Sequence, residues 1–415
     1  MKRFLAVFCA LLMAAAYVCA RPASAQDPQT EGASPPAAAP AETAAPASVQ
    51  VVDVGYLSRP LDRGPARNNT QPIPADEGLW GAKLGIDDNN TTGKFTKQEF
   101  KLRAIAVGGN DTVEDAFRKL VGEGYKYVVV NLPAADLLIL ADLPEAKDTI
   151  IFNVGAPDDR LRNADCRVNV FHTLASRAML TDALAQYLLK KKWNRWFLAV
   201  GKSHDDKLYA DDVVRAARKF GAKVVDEKNW TYSAEDIRRS EQSEIPVFTQ
   251  GPDHHVLIVA DEADEFGDEL MYRTWDPRPV AGTQGLVATD WHPALDQWGA
   301  TQLQNRFQAL SGRFMTAKDF AAWTAVRAIG EGATRTQSVD YARIRDYILG
   351  DELSIGVFKG VGANFRPWDH QLREPILLAA PYTVVSVSPQ PEFIHPVSNL
   401  DTLGDDKPET SCKFK

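Results

Sequence analysis

The sequence predicts an α/β fold made of two doubly wound lobes, each with a parallel sheet. Short apolar runs typical of buried strands alternate with segments of helical spacing along most of the 415-residue chain. The part that follows a polar N-terminal stretch is long enough for two domains of ordinary size. Near the end, REPILLAAPYTVVSVSP predicts an antiparallel pair of strands that turns at Pro381.

The individual elements follow from periodicity. In FKLRAIAV, apolar residues from Phe100 to Ala106 alternate with Lys101 and Arg103, as in a strand that has one buried face. The other predicted strands are QVVDVGYL, YKYVVVNL, TIIFNVG, RWFLAVG, KVVDEKNW, HHVLIVAD and GLVATD. Helices are predicted over 77–88, 113–120, a short stretch near Leu137, 174–191, 209–220, 265–274, 318–330 and 341–349. Ligands bind at the carboxyl ends of the strands in this architecture.

The stretch DNNTTGKFTKQE has the spacing of an EF-hand loop. Asp88 occupies the first position, Gly93 the sharp turn and Glu99 the twelfth position. An EF-hand needs a helix on both sides, however, and a strand is predicted directly after this loop. We therefore interpret the stretch as a helix end that turns through Asn89, Asn90 and Gly93 into the strand.

The N-terminus predicts export. Lys2 and Arg3 precede an apolar run, and the small residues of PASA indicate cleavage before Gln26, so residues 1–25 are a predicted signal peptide and the mature protein is expected in the periplasm. Residues 26–49, rich in Ala and Pro, are a predicted disordered spacer. The net charge of −8 argues against nucleic acid as a partner.

Two of the four cysteines lie in the signal region, and Cys166 and Cys412 remain. In an oxidising compartment, two cysteines suggest one disulfide that ties the C-terminal tail to the body of the protein. The alternative is two unrelated thiols.

Several segments occur in the order found in type I periplasmic binding proteins. They are GYLSRP, EGLWGAKLGIDDNN, AFRKLVGEGYKYVVVN, VFHT, LAQYLLKKKWNRWFLAVG, YADDVVRAARKFGAKVV and VLIVADEADEFG. The chain most resembles the branched-chain amino-acid receptors of ABC importers, from about residue 50 to 387. DNNTTGKF, YRTWDPRPVAGTQGL, WGATQLQNRF and FRPWDHQLREPILL resemble a narrower group associated with PQQ-dependent alcohol oxidation and with lanthanide utilisation.

The resemblance implies a monomeric two-lobed receptor that closes about hinge strands on a small-molecule ligand and presents it to ABC permease subunits in the inner membrane. It implies lobe 1 over 50–172 and 291–349, lobe 2 over 173–290 and 350–390, and a C-terminal tail over 391–415. One departure from the family concerns the loop that normally offers hydroxyls to an amino-acid carboxylate. Here that loop, NLPAADLLIL from Asn131 to Leu140, has no hydroxyl side chain, so leucine-type specificity is not expected.

Candidate cleft residues follow predicted strands or border the crossover between the lobes that the resemblance implies. They are Ser58, Asn131, Thr173, Ser176, Arg177, Ser203, Asp205, Asp261 and Glu262. Arg177 is the candidate anion clamp. Ser203, His204 and Asp205 do not form a catalytic triad, because adjacent side chains point apart.

The acidic loop that follows VLIVA has two interpretations. Asp261, Glu262, Asp264 and Glu265 could bind an ammonium, a polyamine or a hard metal ion, and no cofactor other than a metal ion is expected. Acidic residues also cap a helix N-terminus and complement its dipole.

We expect an ABC-importer receptor linked to PQQ-dependent alcohol oxidation. The alternatives are a periplasmic lanthanide- or calcium-binding protein, and a ligand sensor that docks on a membrane partner. The chain has no phosphate loop, nucleophile elbow, HExxH or CxxC, so an enzyme is not expected.

Overall fold

The computed structural model describes residues 49–60, 73–108, 111–231 and 244–415. The predicted signal peptide and all but the last residue of the predicted spacer lie outside these residues. Among the described residues, no helix is both long enough and apolar enough to cross a membrane.

The strands form two large sheets and one small sheet, and both large sheets are mainly parallel, as predicted. The first sheet contains β1 (Gln50–Ser58), β2 (Gln98–Ala106), β3 (Tyr127–Asn131), β4 (Ile150–Asn153) and β5 (Val170–His172). The second contains β6 (Arg195–Val200), β7 (Lys223–Asn229), β8 (Val256–Ala260), β9 (Val280–Gly282), β10 (Leu286–Thr289), β14 (Ile376–Ala380) and β15 (Thr383–Ser388). The small antiparallel sheet contains β11 (Ile355–Gly356), β12 (Gly362–Phe365) and β13 (Leu372–Arg373).

The strands of each large sheet do not lie in the order of the chain, so the chain crosses over between them. It is β2-β1-β3-β4-β5 in the first sheet and β15-β14-β10-β9-β8-β6-β7 in the second. Strand β14 pairs antiparallel with both β10 and β15, which confirms the antiparallel pair predicted near the end of the chain.

Helices cover both faces of each large sheet. They include α1 (Leu79–Thr96), α2 (Val113–Gly122), α3 (Ala134–Ala141), α4 (Arg177–Lys190), α5 (His204–Phe220), α6 (Gly267–Arg273), α7 (Ala300–Ser311), α8 (Ala317–Thr336) and α9 (Tyr341–Leu349). Alternate residues of one strand enter different cores, so Val129 packs toward α8 whereas Val128 and Val130 pack toward α2 and α3. Burial on both faces explains why the strands read as continuous apolar runs.

We call the first sheet with α1, α2, α3, α7, α8 and α9 the first lobe, and the second sheet with α4, α5 and α6 the second lobe. The predicted lobe-2 segment 350–390 is divided between them. Residues from Leu353 to Leu372 contribute to the core shared with the first sheet, whereas residues 376–388 form strands of the second sheet.

The stretch DNNTTGKFTKQE does contain a helix end followed by a strand, as predicted, but the predicted turn through Asn89, Asn90 and Gly93 was wrong, because α1 continues through them to Thr96. Asn89 is buried and its side-chain amide donates to the Val326 carbonyl of α8 at 2.8 Å. A Cβ on Gly93 would lie 2.2 Å from the Gln98 carbonyl, so this glycine permits close packing on β2. The EF-hand spacing therefore falls on a helix, and the turn occurs at Lys97 with a φ of 56°.

Two helices that border the crossovers begin at other positions than predicted. Helix α4 begins at Arg177 instead of residue 174, because Ser176 caps it by accepting from the Met179 amide at 3.3 Å. Helix α5 begins at His204 instead of residue 209, because Ser203 and Asp206 form a capping box. The first turn of α5 has no apolar periodicity, and its capping residues are what make it helical.

The C-terminal tail packs along both lobes and ends in a disulfide. Leu403 is buried in the core of the second lobe, and the Thr410 hydroxyl donates to the Arg162 carbonyl of the first lobe at 2.8 Å. Cys166 and Cys412 are bonded, with their Cα atoms 5.7 Å apart, which confirms the predicted disulfide.

Candidate functional site

Two adjoining cavities lie between the lobes, at the carboxyl ends of strands from both sheets. The larger has a volume of about 540 Å³ and is lined by the loops after β3 and β4 and by the start of α5. The smaller, of about 260 Å³, is lined by residues around β10, the loop after β8 and the start of α8. Pro157 and Lys318 line both cavities. This is the position that the doubly wound architecture predicts for a ligand.

The side chain of Arg177 extends from the first turn of α4 into the larger cavity, and that of Glu262 lines the smaller one. The Arg177 Nε donates to both Glu262 carboxylate oxygens at 3.0 and 2.9 Å, and Nη2 donates to Oε2 at 2.6 Å. Nη2 also lies 3.1 Å from Asp205 Oδ1. Burial alone would lower the pKa of Arg177, but Glu262 outweighs burial and raises it. Arg177 is therefore charged at any physiological pH.

The other end of this guanidinium faces the first lobe. Nη1 lies 3.6 Å from Asp158 Oδ2, and no residue that the structure describes accepts a hydrogen bond from it. Arg177 is only 2% exposed. Nη1 is therefore buried and ion-paired with Asp158 without a hydrogen bond, and binding of a ligand by Arg177 stays a prediction.

A carboxyl pair crosses the larger cavity. Asp159, in the single 3-10 turn Asp159–Arg162 of the first lobe, accepts from the Ala178 amide at 3.0 Å. Asp212 of α5 in the second lobe lies against it and is bound by Arg215 Nε at 3.1 Å. Burial, and then the charge of Asp159, raise the pKa of Asp212 to about 9. Asp212 is therefore protonated at neutral pH and donates to Asp159.

The structure brings four predicted site residues to the cavities. Asn131, Arg177 and Asp205 line the larger cavity, and Glu262 lines the smaller one. Asn131 also links the loop after β3 to the start of α1, because its amide donates to the Glu77 carbonyl at 2.9 Å. Their roles in ligand binding stay predictions.

Other predicted residues serve local structure. Ser176 and Ser203 cap α4 and α5, and the buried Thr173 hydroxyl donates to the Ala321 carbonyl at 2.9 Å. The Ser58 side chain hydrogen-bonds with Tyr56, and its backbone carbonyl accepts from the Val107 amide at 2.7 Å.

The acidic loop is arranged as a helix cap. Asp261 is buried, and its two oxygens accept from the amides of Glu265, Phe266 and Gly267 at 2.7 to 2.9 Å. Its side chain therefore faces the start of α6 instead of the cleft, whereas Glu262 turns away to Arg177 and Asp264 adopts a φ of 56°. In the part of the chain that the structure describes, no group of three or more His, Cys, Asp or Glu residues is placed to hold a metal ion.

The sequence analysis missed several residues of the two cavities, namely Asp158, Asp159, Asp212, Asp290 and Lys318. The signal for three of them was present. Asp158 and Asp159 follow the predicted strand TIIFNVG, and Asp290 ends the predicted strand GLVATD. Applying the carboxyl-end rule to every strand would have identified these three. Asp212 and Lys318 lie within helices, and their place in the cleft depends on the packing of the two lobes.

In a comparison with protein families, the family model described as periplasmic binding protein matches residues 71–243. No curated protein sequence matches the chain.

Solved structures share the fold over most of the chain. A branched-chain amino acid ABC transporter periplasmic ligand-binding protein from Burkholderia xenovorans is 17% identical, with a TM-score of 0.65 over 81% of this chain and 95% of that chain. A leucine-, isoleucine-, valine-, threonine- and alanine-binding protein from Brucella ovis, in a closed conformation, is 13% identical, with a TM-score of 0.63 over 88% and 99%. A solute binding protein of an ABC transporter from Rhodopseudomonas palustris, in complex with 3,4-dihydroxybenzoic acid, is 10% identical, with a TM-score of 0.56 over 80% and 93%.

Proposed function

The chain has the type I periplasmic-binding-protein fold and matches the periplasmic binding protein family over residues 71–243. We propose that it is a receptor that binds a small organic solute and delivers it to an ABC permease. The observation that carries this proposal is the pair of cavities lined by strand-end loops of both lobes. A ligand held there contacts both lobes at once, so binding stabilises their closed arrangement. Structures with this fold include receptors complexed with isoleucine and with 3,4-dihydroxybenzoic acid, which sets the size range of ligands to test.

The test is thermal unfolding of the mature protein, from Gln26 onward, with a panel of solutes. The panel contains branched-chain amino acids, amines, short alcohols and acids, PQQ, calcium and lanthanum. A ligand present at about a hundred times its Kd adds about 2.7 kcal/mol to the free energy of unfolding, which raises the Tm by a few degrees. If no solute raises the Tm, the receptor proposal fails.

A cavity-filling variant shows where the solute binds. Ala135 lies at an exposed position of the larger cavity, so Ala135→Trp should reduce the shift caused by any solute that occupies it. Ala104 is also exposed, on the edge strand β2, and Ala104→Trp is the matched control that should leave the shift unchanged.

The narrower link to PQQ-dependent alcohol oxidation rests on the four sequence segments DNNTTGKF, YRTWDPRPVAGTQGL, WGATQLQNRF and FRPWDHQLREPILL. PQQ and short alcohols are in the panel for this reason, and a shift by either would support the link. A sensor that docks on a membrane partner would close in the same way. Solute uptake by cells that lack this protein separates the two roles. If the protein is a sensor, such cells lose their response to the solute but still take it up, whereas loss of uptake indicates a transport receptor.

The geometry does not favour the calcium or lanthanide alternative, because the Asp261 carboxylate oxygens are used by three backbone amides of the α6 cap. Lanthanum should therefore give no shift that Asp261→Ala removes.

Periplasmic localisation is proposed from the signal-like N-terminus and the family match. N-terminal sequencing of the protein from a periplasmic extract should begin at Gln26.

A further inference from the structure

The smaller cavity has walls that are mostly apolar. Leu174, Leu180, Ala288 and Ala317 line it, together with Pro157. Its volume of about 260 Å³ equals that of about nine water molecules in the liquid. It therefore suits a molecule with fewer than about ten non-hydrogen atoms and a short hydrocarbon body.

The charged side chains of this cavity differ in the hydrogen bonds and ion pairs that they make within the protein. Glu262 is held by the bidentate contact with Arg177. Lys318 Nζ and Glu77 Oε2 are 3.9 Å apart and lie together at one side of the cavity. Asp290 is 2% exposed, and its Oδ2 accepts from the Ala175 amide at 3.1 Å.

The second oxygen of Asp290, Oδ1, is buried, and no residue that the structure describes donates a hydrogen bond to it. Two cations lie nearby, but their donors are directed elsewhere. Lys359 Nζ binds Glu374, and the Arg162 donors bind Gln371 and the backbone carbonyls of three residues. A buried carboxylate oxygen without a donor is costly, so a donor supplied by a ligand would gain its full strength there.

We propose that the smaller cavity binds the head group of a small primary amine, and that Asp290 Oδ1 accepts a hydrogen bond from its ammonium. This inference rests on the proposed receptor function and names the ligand class of the same cleft. A cation suits Asp290 Oδ1 better than a hydroxyl, because a hydrogen bond from a charged donor to a carboxylate is stronger than one from a neutral donor. An α-amino acid suits it less, because its carboxylate would lie near the lining carboxylates of Glu77, Glu262 and Asp290.

The test compares three ligands of similar shape, isoamylamine, isoamyl alcohol and leucine, by titration calorimetry on the wild type and on Asp290→Asn. We expect the amine to bind most tightly and Asp290→Asn to weaken it by about tenfold or more, since a charge-assisted hydrogen bond is lost. Asp369→Asn is the matched control. Asp369 is also buried, at 1% exposed, but it pairs with Arg366 and lines neither cavity, so the amine affinity should stay within about twofold of the wild type.

A second variant keeps the test valid if Asp290→Asn does not fold. Ala317 is the partly exposed first residue of α8 and lines the smaller cavity. Ala317→Leu narrows the cavity without changing Asp290, and it should also weaken the amine.

The outcomes separate this inference from the receptor function. Tighter binding of the alcohol or of leucine, or an unchanged amine affinity in both variants, overturns the amine assignment and leaves the solute receptor standing. If only solutes that are not amines bind, the same conclusion follows. If no solute of the wider panel binds at all, both proposals fall.

Discussion

Two buried arginines lie near the crossover between the lobes, and they are used in opposite ways. Arg162 is 3% exposed and Arg177 is 2% exposed. Arg162 donates to Gln371 Oε1 at 2.8 Å and to the carbonyls of Ala156, Asp158 and Leu174 at 2.9 to 3.0 Å. Arg177 is bound at one edge by Glu262, and its Nη1 has no hydrogen-bond acceptor among the described residues.

This difference indicates a structural role for Arg162, whereas a binding role of Arg177 stays a prediction. The donors of Arg162 are used by neutral groups on chain segments that meet at the crossover, so it fixes their geometry. Burial lowers the pKa of Arg162 to about 10, against the attraction of Asp159 and other nearby acids. Arg177 retains one donor in a cavity and is held charged by a carboxylate.

The comparison predicts the largest loss of stability for Arg162→Met. Gln371 Oε1 loses its donor in a buried place, which costs about 1–3 kcal/mol. The carbonyls of Ala156, Asp158 and Leu174 each lose a charged donor, although each keeps a second donor, from Asn153, Leu161 and Gln371 respectively. We expect the free energy of unfolding to fall by about 4 kcal/mol, measured by urea denaturation. Arg160→Met, in the same 3-10 turn but on a half-exposed side chain, should cost under about 1 kcal/mol. Equal losses in the two variants would show that the buried network is not the cause.

Arg177→Met should cost about 2 kcal/mol, because Glu262, whose side chain is 22% exposed, is left as a partly buried charge without its partner. Unlike the stability lost in Arg162→Met, the stability lost here should be largely restored by one further substitution. In the double variant Arg177→Met with Glu262→Met, most of the stability should return, since the partly buried ion pair and two apolar side chains are of similar stability. Strictly additive losses in this double-mutant cycle would contradict the assignment of Arg177 and Glu262 as a coupled pair.

Cys412→Ser should remove about 3 kcal/mol, because the disulfide restricts the unfolded chain over a sequence separation of 246 residues. The Thr410 and Ser411 contacts with Arg162 and Asn163 lie beside it, so protection from hydrogen exchange should fall around Arg162 and persist around Arg177. Reduction of the wild type is the control and should give the same pattern. A uniform loss of protection would argue against a local role of the tail.

The smallest change in the free energy of unfolding is expected when the pH changes by one unit around the Asp212 carboxyl. An unfolded aspartate loses its proton near pH 4, whereas the folded Asp212 has a pKa of about 9, so between these values the folded state holds the extra proton. Stability therefore falls as pH rises through this window, by at most about 1.4 kcal/mol per unit for one proton. Asp212→Asn should be less sensitive to pH between 4 and 9 than the wild type. Identical pH profiles by thermal unfolding would show that Asp212 does not share a proton with Asp159.

Periodicity was enough to predict the strands that lie between two helical layers, such as β3 and β8, because burial on both faces leaves only apolar residues. The end of α1 was not predictable in this way, since Asn89 and Gly93 favour turns locally and only contacts with α8 and β2 keep them helical.

The site shows the same division. Arg177 was identified by its place in the resemblance, but the unpaired atoms Arg177 Nη1 and Asp290 Oδ1 depend on side-chain directions that spacing does not encode. Asp212 was missed because its position in the cleft requires both lobes to be assembled.

The disulfide has a consequence for cleavage of the chain. Cys166 precedes every strand of the second lobe and Cys412 follows them all, so the whole lobe lies within one covalent ring. A protease that cuts one peptide bond between the two cysteines opens the ring but leaves both pieces linked. On a denaturing gel such a nicked molecule runs as a single species without reductant, and it separates into two fragments only when a thiol is added.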